Sequence, residues 1–332
     1  MRWLAWGFWM VLMWAGCARE KTAPEVTIYV SEDQVFSQPL LEDFERETGI
    51  RVHAVYDTEE SKGTGVMNRL IAEAHHPQAD LYWANEPIRA EVLRQKGILM
   101  PYASPNAQGI PAMFKEKDHH WTGFSARIRV LIAHQDFTPK PTGIIDYLNP
   151  RYRGQAVIAN PLFGTTTTHV AVLFDAWGKE QATAFLDGLK ANKVAISTGN
   201  GESADFVARG TYGFALVDSD DAVARLRRGE PITLIYPDQA SNGMGALVVP
   251  NAVMLIRNAP HPEVAKQLMD YLLSSKSEAK LAQADCAQIP LHAGVMPPKE
   301  LKPIDQIKVM PVDYAKVAQT MLTIQPLLQA RF

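Results

Sequence analysis

The sequence predicts an α/β protein of two lobes, each a mixed, mostly parallel β-sheet flanked by helices, with a ligand cleft between the lobes. The chain has 332 residues, which is long for a single hydrophobic core. Short apolar runs alternate along it with amphipathic helical patterns, an order typical of parallel sheets covered by helices. The composition, 47% hydrophobic and 21% charged, is that of a globular protein.

The first part of the chain has a repeated strand–helix order. The helix predicted over 38–48 carries Leu40, Leu41 and Phe44 on one face, and Gly97 ends a later helix. This order predicts a parallel sheet with helices on both faces. The strands are predicted at 26–30, 51–56 and 80–83, and the helices at 38–48, 65–74 and 87–96.

The same alternation returns after an apolar strand at 127–133 and predicts a second block of sheet and helices. The Pro/Lys-rich stretch 297–303 is predicted to be a loop. The further strands are predicted at 155–159, 212–217, 246–249 and 253–256, and the helices at 165–177, 179–190, 222–228, 262–274 and 276–283.

Residues 1–17, MRWLAWGFWMVLMWAGC, have the pattern of a secretory signal sequence. Arg2 is followed by an apolar run that is too short to span a bilayer comfortably. The Ala-Gly-Cys ending resembles a bacterial lipobox, with Cys17 as the lipidated first residue of the mature chain. Ordinary cleavage near Ala18 and a retained membrane anchor are the alternatives. Residues 18–24 are small and polar and are predicted to form a tether.

Composition and motifs argue against several classes of protein. The net charge is −3 and no basic stripe appears, so nucleic acid is not an expected partner. The chain has two cysteines, Cys17 and Cys286, and if the first is lipidated no disulfide can form; the second is predicted to be a buried, inert thiol. The motifs GxSxG, HExxH and CxxC and the phosphate-binding P-loop are absent, and no nucleophile–base pair is legible, so no enzyme is predicted.

In open α/β sheets, ligands bind beyond the carboxyl ends of the strands, so residues that directly follow strands are the candidates for a site. The run GFALVDSDDAVARL places Asp218, Asp220 and Asp221 after an apolar strand. Two interpretations stay open. Asp218 or Ser219 caps the next helix while acids in its first turn face the helix dipole, or Asp220 or Asp221 points into the cleft and binds a cation or an ammonium group.

Other candidates follow the same rule. Ser31 and Asp33 follow the first strand, and Glu86 follows the third, where a solvated acid at a helix start is the alternative. The segment NPLFGTTTTHVA places Gly164, Thr165 and Thr166 at a helix start, where free N–H groups and hydroxyls can bind an anion; N-capping and packing are the alternative. Arg127 and Arg129 alternate on one strand and so face one side, where one could reach an anion or both could be surface charges.

The runs IYVSEDQVF, FERETGIRV, ADLYWANEP, NPLFGTTTTHVA and ALVDSDDA resemble the periplasmic substrate-binding proteins of ABC importers, and more closely their ferric-iron-binding group. The resemblance runs from about residue 25 to about 290. It implies the type II periplasmic-binding-protein fold, whose two lobes close over a ligand. It implies lobe one at 25–125 plus 252–290 and lobe two at 126–251, with the lobe of the C-terminal segment 291–332 unassigned.

In ferric binders, a histidine, a glutamate and two adjacent tyrosines hold the iron, and a bound anion at a helix start completes the shell. Here Glu86 matches the glutamate, and Asn200 falls near a residue that helps to hold the anion. The histidine position falls at about Asp33, and the tyrosine positions fall at Asp220 and Asp221. The resemblance therefore implies an oxygen-only site suited to hard cations, Fe(III) or Ca, Mg or Mn. Gly164, Thr165 and Thr166 match the anion-binding helix start.

The function predicted from these residues is the exported solute-binding component of an ABC importer, which captures a metal ion, Fe(III) first, together with a synergistic anion. The alternative is a binder of a small organic anion or zwitterion, such as a phosphonate, a phosphate ester or an amine-containing metabolite. An exported enzyme or sensor with the same fold is a third hypothesis. No catalytic cofactor is expected. The expected partners are the importer's permease and ATPase, the expected state is a monomer in the periplasm or cell envelope, and membrane contact would come only through Cys17.

Overall fold

The computed structural model describes residues 23–57 and 64–332. The predicted signal sequence, Cys17 and most of the predicted tether lie outside the described residues. Among the described residues, no helix has the length and apolar character needed to cross a membrane.

Ten strands and ten α-helices alternate along the described chain. The strands are β1 (Glu25–Val30), β2 (Arg51–Tyr56), β3 (Leu81–Ala84), β4 (Leu99–Met100), β5 (Thr122–His134), β6 (Ala156–Ala159), β7 (Ala195–Ser197), β8 (Phe214–Asp218), β9 (Ile232–Ile235) and β10 (Val248–Ile256). The helices are α1 (Gln34–Thr48), α2 (Thr64–Ala72), α3 (Pro87–Gln95), α4 (Gly164–Trp177), α5 (Lys179–Ala191), α6 (Asn200–Ala208), α7 (Ser219–Arg227), α8 (Pro262–Leu272), α9 (Ser275–Gln283) and α10 (Tyr314–Gln329).

The strands form a mixed sheet in the order β2-β1-β3-β10-β5-β8-β6-β7, with β4 added beside β10 and β9 beside β5. At one end β1 pairs parallel with β2 and β3, as the strand–helix alternation predicts. At the other end β6 pairs parallel with β7 and β8. The strands between them, β10 and β5, run antiparallel to their neighbours. The α/β class and the mixed sheet are thus confirmed.

Two long strands join the two ends of this sheet. The first part of β5 pairs with β10, and its second part, from Arg129 to Ala133, pairs with β8. The strands predicted separately at 246–249 and 253–256 are one strand, β10, so that prediction was wrong. Pro250 and Asn251 break the apolar pattern at a β-bulge, where the pairing register shifts because Ser125 of β5, with a φ of 36°, has no register partner in β10.

The sequence pattern missed β4, β7, β9, α6 and α10. The last of these packs against both α3 and α4, so the C-terminal segment contacts helices from both ends of the sheet. The α10 sequence does not indicate a helix, because it contains Pro326 and proline disfavours a helix interior. Its apolar face is nevertheless anchored, since Val317 and Leu328 are fully buried.

Four aromatic residues and Cys286 are part of the hydrophobic core. The rings of Tyr29, Tyr82, Trp83 and Trp121 are fully buried, so they pack in the core. The predicted burial of Cys286 is confirmed, and burial raises the pKa of its thiol to about 12. Such a thiol carries almost no thiolate at neutral pH and is therefore inert.

Candidate functional site

The centre of the candidate site is an ion pair between Arg129 and Asp218. Arg129 Nη1 lies 2.9 Å from Asp218 Oδ1, and the arginine side chain is 0% exposed. The antiparallel pairing of β5 with β8 sets these two residues directly opposite each other in register. Cross-strand partners project on the same face of a sheet, so the pairing itself brings the two charges together.

The start of α4 adds hydroxyl groups to this ion pair. Thr165 Oγ1 donates a 2.7 Å hydrogen bond to Asp218 Oδ2, and Arg129 donates to the hydroxyls of Thr165 and Thr166 at 3.1 Å each. The helix begins at Gly164 with φ of 59°, a left-handed conformation that glycine adopts without a steric penalty. The threonine run thus supplies side-chain oxygens at the helix start, where the sequence predicted an anion site.

Asn200, the first residue of α6, completes the network. Its Nδ2 donates to Asp218 Oδ2 at 3.2 Å, and its Oδ1 accepts from Arg129 Nη1 at 2.9 Å. Four residues predicted to bind an anion therefore lie together, and the carboxylate among them is that of Asp218. Burial would raise the pKa of Asp218, but the charges of Arg129 and Arg127 and these hydrogen bonds outweigh it and hold the pKa below its usual value.

The capping interpretation of Asp218 and Ser219 was wrong. Asp218 stands at the N-cap position of α7, but its side chain makes no capping hydrogen bond. Ser219 Oγ instead accepts a 3.1 Å hydrogen bond from the backbone N–H of Ile128. Asp220 and Asp221 do lie in the first turn of α7, where the helix dipole favours negative charge.

Asp220 and Asp221 form an acidic group with Asp218, whose oxygen atoms lie within 4.8 Å of one another. Burial and the neighbouring carboxylates raise the pKa of Asp220 well above its usual value. Burial and the charge of Asp218 raise the pKa of Asp221 to about 6. Asp220 Oδ1 is buried without a hydrogen-bond partner. Burial and repulsion disfavour the charged forms of Asp220 and Asp221, so a bound cation would stabilise them.

Arg127 is a further positive charge beside this acidic group, in addition to Arg129 at Asp218 and to Arg225, whose Nη1 lies 3.6 Å from Asp221 Oδ1. Arg127 is half-buried and donates a 2.6 Å hydrogen bond to the backbone oxygen of Asn85, in the turn after β3. Burial would lower its pKa, but four surrounding acids raise the pKa above its usual value. The four acids are Glu32, Asp33, Asp218 and Asp220. The two arginines are therefore not surface charges, and that alternative was wrong.

Glu86 binds residues on two sides. It pairs with Arg89 one helical turn along α3, and its Oε2 accepts a 2.5 Å hydrogen bond from Thr168 Oγ1 of α4. Glu86 is buried, so the alternative of a solvated acid at a helix start is wrong for it. Sequence reasoning missed Thr168 as its partner because the two residues are 82 positions apart.

Ser31 and Asp33 lie at the carboxyl end of β1. Ser31 Oγ bonds to Asp57 at 3.0 Å and to the hydroxyl of Tyr82 at 2.8 Å. Asp33 precedes α1 without a capping hydrogen bond from its side chain. Both line a cavity of about 340 Å³ together with residues from the ends of β1 and β2. The other lining residues are Glu32, Gln34, Val35, Tyr56 and Asp57.

One further acidic group occurs among residues 23–57 and 64–332. Glu116, Asp118 and His120 bring ligand atoms within 4.8 Å of one another. Glu116 Oε2 already accepts hydrogen bonds from two backbone N–H groups and from His120 Nδ1. The turn thus satisfies its own carboxylate, and the group has a structural explanation.

The mixed sheet, with parallel strands at both ends and charged residues after its strands, is the arrangement expected of a solute-binding protein. The bacterial extracellular solute-binding protein family matches residues 26–284, and the chain belongs to that family. The predicted family and the predicted fold are thereby confirmed.

Two relatives and one solved structure show the range of solutes in similar proteins. The chain is 26% identical over 285 residues to iron uptake protein A1 of Synechocystis, covering 82% of this chain and 77% of that protein. It is 24% identical over 287 residues, 83% and 81% of the two chains, to a periplasmic protein of Salmonella typhimurium with a provisional assignment as a 2-aminoethylphosphonate binder. The Trichodesmium protein FutA, solved with iron and citrate ligands, superposes with a TM-score of 0.81 at 22% identity, covering 92% of this chain and 98% of that one.

Proposed function

We propose that the protein is the exported, solute-binding component of an ABC importer and that it captures a hard metal cation, with Fe(III) as the first candidate. The observation that carries this proposal is the acidic group of Asp218, Asp220 and Asp221, in which Asp220 Oδ1 is buried without a partner. Carboxylate oxygens are the ligands that hard cations prefer. The iron-uptake relative from Synechocystis supports Fe(III) among these cations.

Asp220 and Asp221 are the proposed metal ligands on the side of β8 and α7. Glu86 and Asp33 are the proposed ligands from the turns after β3 and β1. Burial and then repulsion between carboxylates raise the pKa of Asp220 and Asp221, and a bound cation would offset the repulsion. Arg127 would have to move away from the acids as the cation enters, because two positive charges cannot share one carboxylate group without repulsion.

The proposed mechanism is capture by lobe closure, with no chemistry on the solute. The proposed lobes are 25–125 plus 252–290 and 126–251. Support comes from the sheet, where β5 and β10 change pairing partners close to these boundaries. Rotation about these two strands would move α4 and α7 against the turns that hold Glu86 and Asp33. The proposed partners are a permease and an ATPase, and the proposed location is the periplasm or cell envelope.

The test is a titration of the metal-free chain from Ala18 with Fe(III) supplied as its nitrilotriacetate complex. We expect tight binding in the wild type and at least a tenfold loss in Asp220→Asn and in Glu86→Gln. The matched control is Asp285→Asn, because the Asp285 side chain is 95% exposed and outside the acidic group. Equal binding in all four proteins, or none in the wild type, would overturn the proposal.

A second candidate is a small zwitterion with an anionic and an amine end. The specific observation in its favour is Arg127, which supplies a cation beside the acids, together with the absence of tyrosine at positions 220 and 221. The provisional assignment of the Salmonella relative points in the same direction. Thermal melts with 2-aminoethylphosphonate and with Fe(III) separate the two, since a ligand at about 100 times its dissociation constant adds about 2.7 kcal/mol of stability.

A further inference from the structure

Asp218 lies where the sequence predicted a bound anion. The helix start at Gly164, the hydroxyls of Thr165 and Thr166, and the amide of Asn200 are donors suited to an oxyanion. In the folded chain Thr165 and Asn200 donate to one carboxylate, that of Asp218, and Thr166 accepts from Arg129, which is paired with the same carboxylate. A carboxylate supplied by β8 therefore lies beside the helix start.

The contacts of Asp218 are those of a bound anion. Oδ1 accepts from Arg129 Nη1 at 2.9 Å, and Oδ2 accepts from Thr165 Oγ1 at 2.7 Å and from Asn200 Nδ2 at 3.2 Å. The residue is 6% exposed and Arg129 is 0% exposed, so solvent ions do not compete for these donors. Charge-assisted hydrogen bonds of this kind are the stronger class in proteins.

The same carboxylate also belongs to the acidic group with Asp220 and Asp221. We propose that Asp218 acts as a built-in anion of the solute site: it fills the anion pocket formed by Arg129, Thr165, Thr166 and Asn200, so that cation capture at Asp220 and Asp221 requires no anion from solution. This inference rests on the proposed function for its second half. In needing no anion from solution, the chain would differ from FutA, whose solved structure contains citrate together with iron.

The inference has a consequence that does not depend on metal. If Asp218 fills an anion pocket, its removal leaves a vacancy lined by a buried guanidinium, and a small carboxylate can enter it. Asp218→Ala creates this vacancy, whereas Asp218→Asn removes the charge but keeps the space filled. The two variants thus distinguish a vacant anion pocket from a general loss of negative charge.

The first arm of the test measures thermal melts against sodium formate at constant ionic strength. Asp218→Ala is expected to gain stability saturably with formate, and Asp218→Asn and the wild type are expected to gain none. A wild type that formate or phosphate stabilises would overturn the inference, because its pocket would then be open. An Asp218→Ala protein that folds and does not respond to formate would overturn it as well. If Asp218→Ala does not fold, the wild-type melts still decide.

The second arm measures Fe(III) affinity of the wild type with and without added carbonate or formate, after removal of these anions, because citrate and phosphate would compete with the protein for Fe(III). We expect less than a twofold change in the wild type and at least a tenfold gain from an added anion in Asp218→Ala. A tenfold gain in the wild type would overturn the built-in anion. A wild type that binds no Fe(III) under any condition would instead remove the proposed metal cargo, and the formate melts would still decide the role of Asp218.

Discussion

Thr168 Oγ1 donates a 2.5 Å hydrogen bond to Glu86 Oε2, and this bond joins helix α4 to the turn between β3 and α3. Both residues are buried, and Glu86 also pairs with Arg89. The bond therefore connects elements from opposite ends of the sheet across the candidate cleft. Glu86, which is proposed as a solute ligand, is therefore positioned by a hydrogen bond from Thr168 of the facing helix.

Replacement of Thr168 by valine should weaken the contact between these elements. Valine has nearly the shape of threonine but no hydroxyl, so a hydrogen bond to a charged group is lost, at a cost of about 1.5–3 kcal/mol in the free energy of unfolding. Urea denaturation measures this loss. The neighbouring Thr167→Val is the matched control, because the Thr167 hydroxyl is buried without a hydrogen-bond partner and its removal should be neutral or stabilising. Equal losses in the two variants would contradict the role of the Thr168 bond.

Asp220→Asn should make the metal-free protein more stable while it weakens cation binding. Burial and then repulsion from Asp221 and Asp218 raise the pKa of Asp220, and a neutral amide costs less to bury than a carboxylate and removes the repulsion. A gain of about 1 kcal/mol in the free energy of unfolding at pH 7 is the expected size when a functional site is relieved of strain. Chemical denaturation of the metal-free protein checks the gain, with Asp285→Asn as the control. A stability loss in Asp220→Asn would show that Asp220 is held by favourable contacts instead.

Cation binding should strengthen as the pH rises through about 6. The pKa of Asp221 is raised to about 6 and that of Asp220 well above its usual value, so the metal-free site holds protons that a cation must displace. Calorimetry in two buffers of different ionisation enthalpy should detect proton release on binding. The release should shrink in Asp221→Asn. Binding that is independent of pH between 5 and 7.5, with no proton release, would rule out these two carboxylates as ligands.

His169 should make the fold sensitive to acid. It lies on α4, is 2% exposed and has neither ring nitrogen in a hydrogen bond. Burial, with the charge of Arg129, lowers its pKa from 6.5 to about 3. Between these two values the unfolded chain binds a proton that the folded chain does not. His169 therefore leaves the free energy of unfolding unchanged above about pH 6.5 and lowers it progressively as the pH falls towards 3.

The slope from this residue should reach about 1.4 kcal/mol per pH unit. His169→Leu removes the titrating group and should flatten the dependence of unfolding free energy on pH between 6.5 and 4. The control is His75→Leu, because His75 is exposed. Denaturation series at several pH values measure both. If the unfolding free energies of the wild type and His169→Leu depend on pH in the same way, the prediction is wrong, and the protonated imidazole must be stabilised by a partner in the folded chain.

Local patterns determined much of the fold before any coordinates. The period of apolar residues located β1, β2, α1 and α3 within a few residues, because each buries one face against the core. The same patterns failed at β10, where a proline interrupts one continuous strand, and at α10, whose helix contains Pro326. In both places packing against neighbouring elements outweighs the local signal.

The sequence by itself determined which residues follow the strands, and hence that acids, hydroxyls and arginines collect at one edge of the sheet. Only the tertiary structure decided how they pair. The register of β5 against β8 sets Arg129 opposite Asp218, 89 positions away along the chain. Asp218 thereby becomes the occupant of the predicted anion pocket, and Asp220 and Asp221 remain as the strained carboxylates. Charge pairing between distant residues depends on strand register, which follows from the burial of one face of each strand and from the geometry of the connections, and these are fixed together only in the folded sheet.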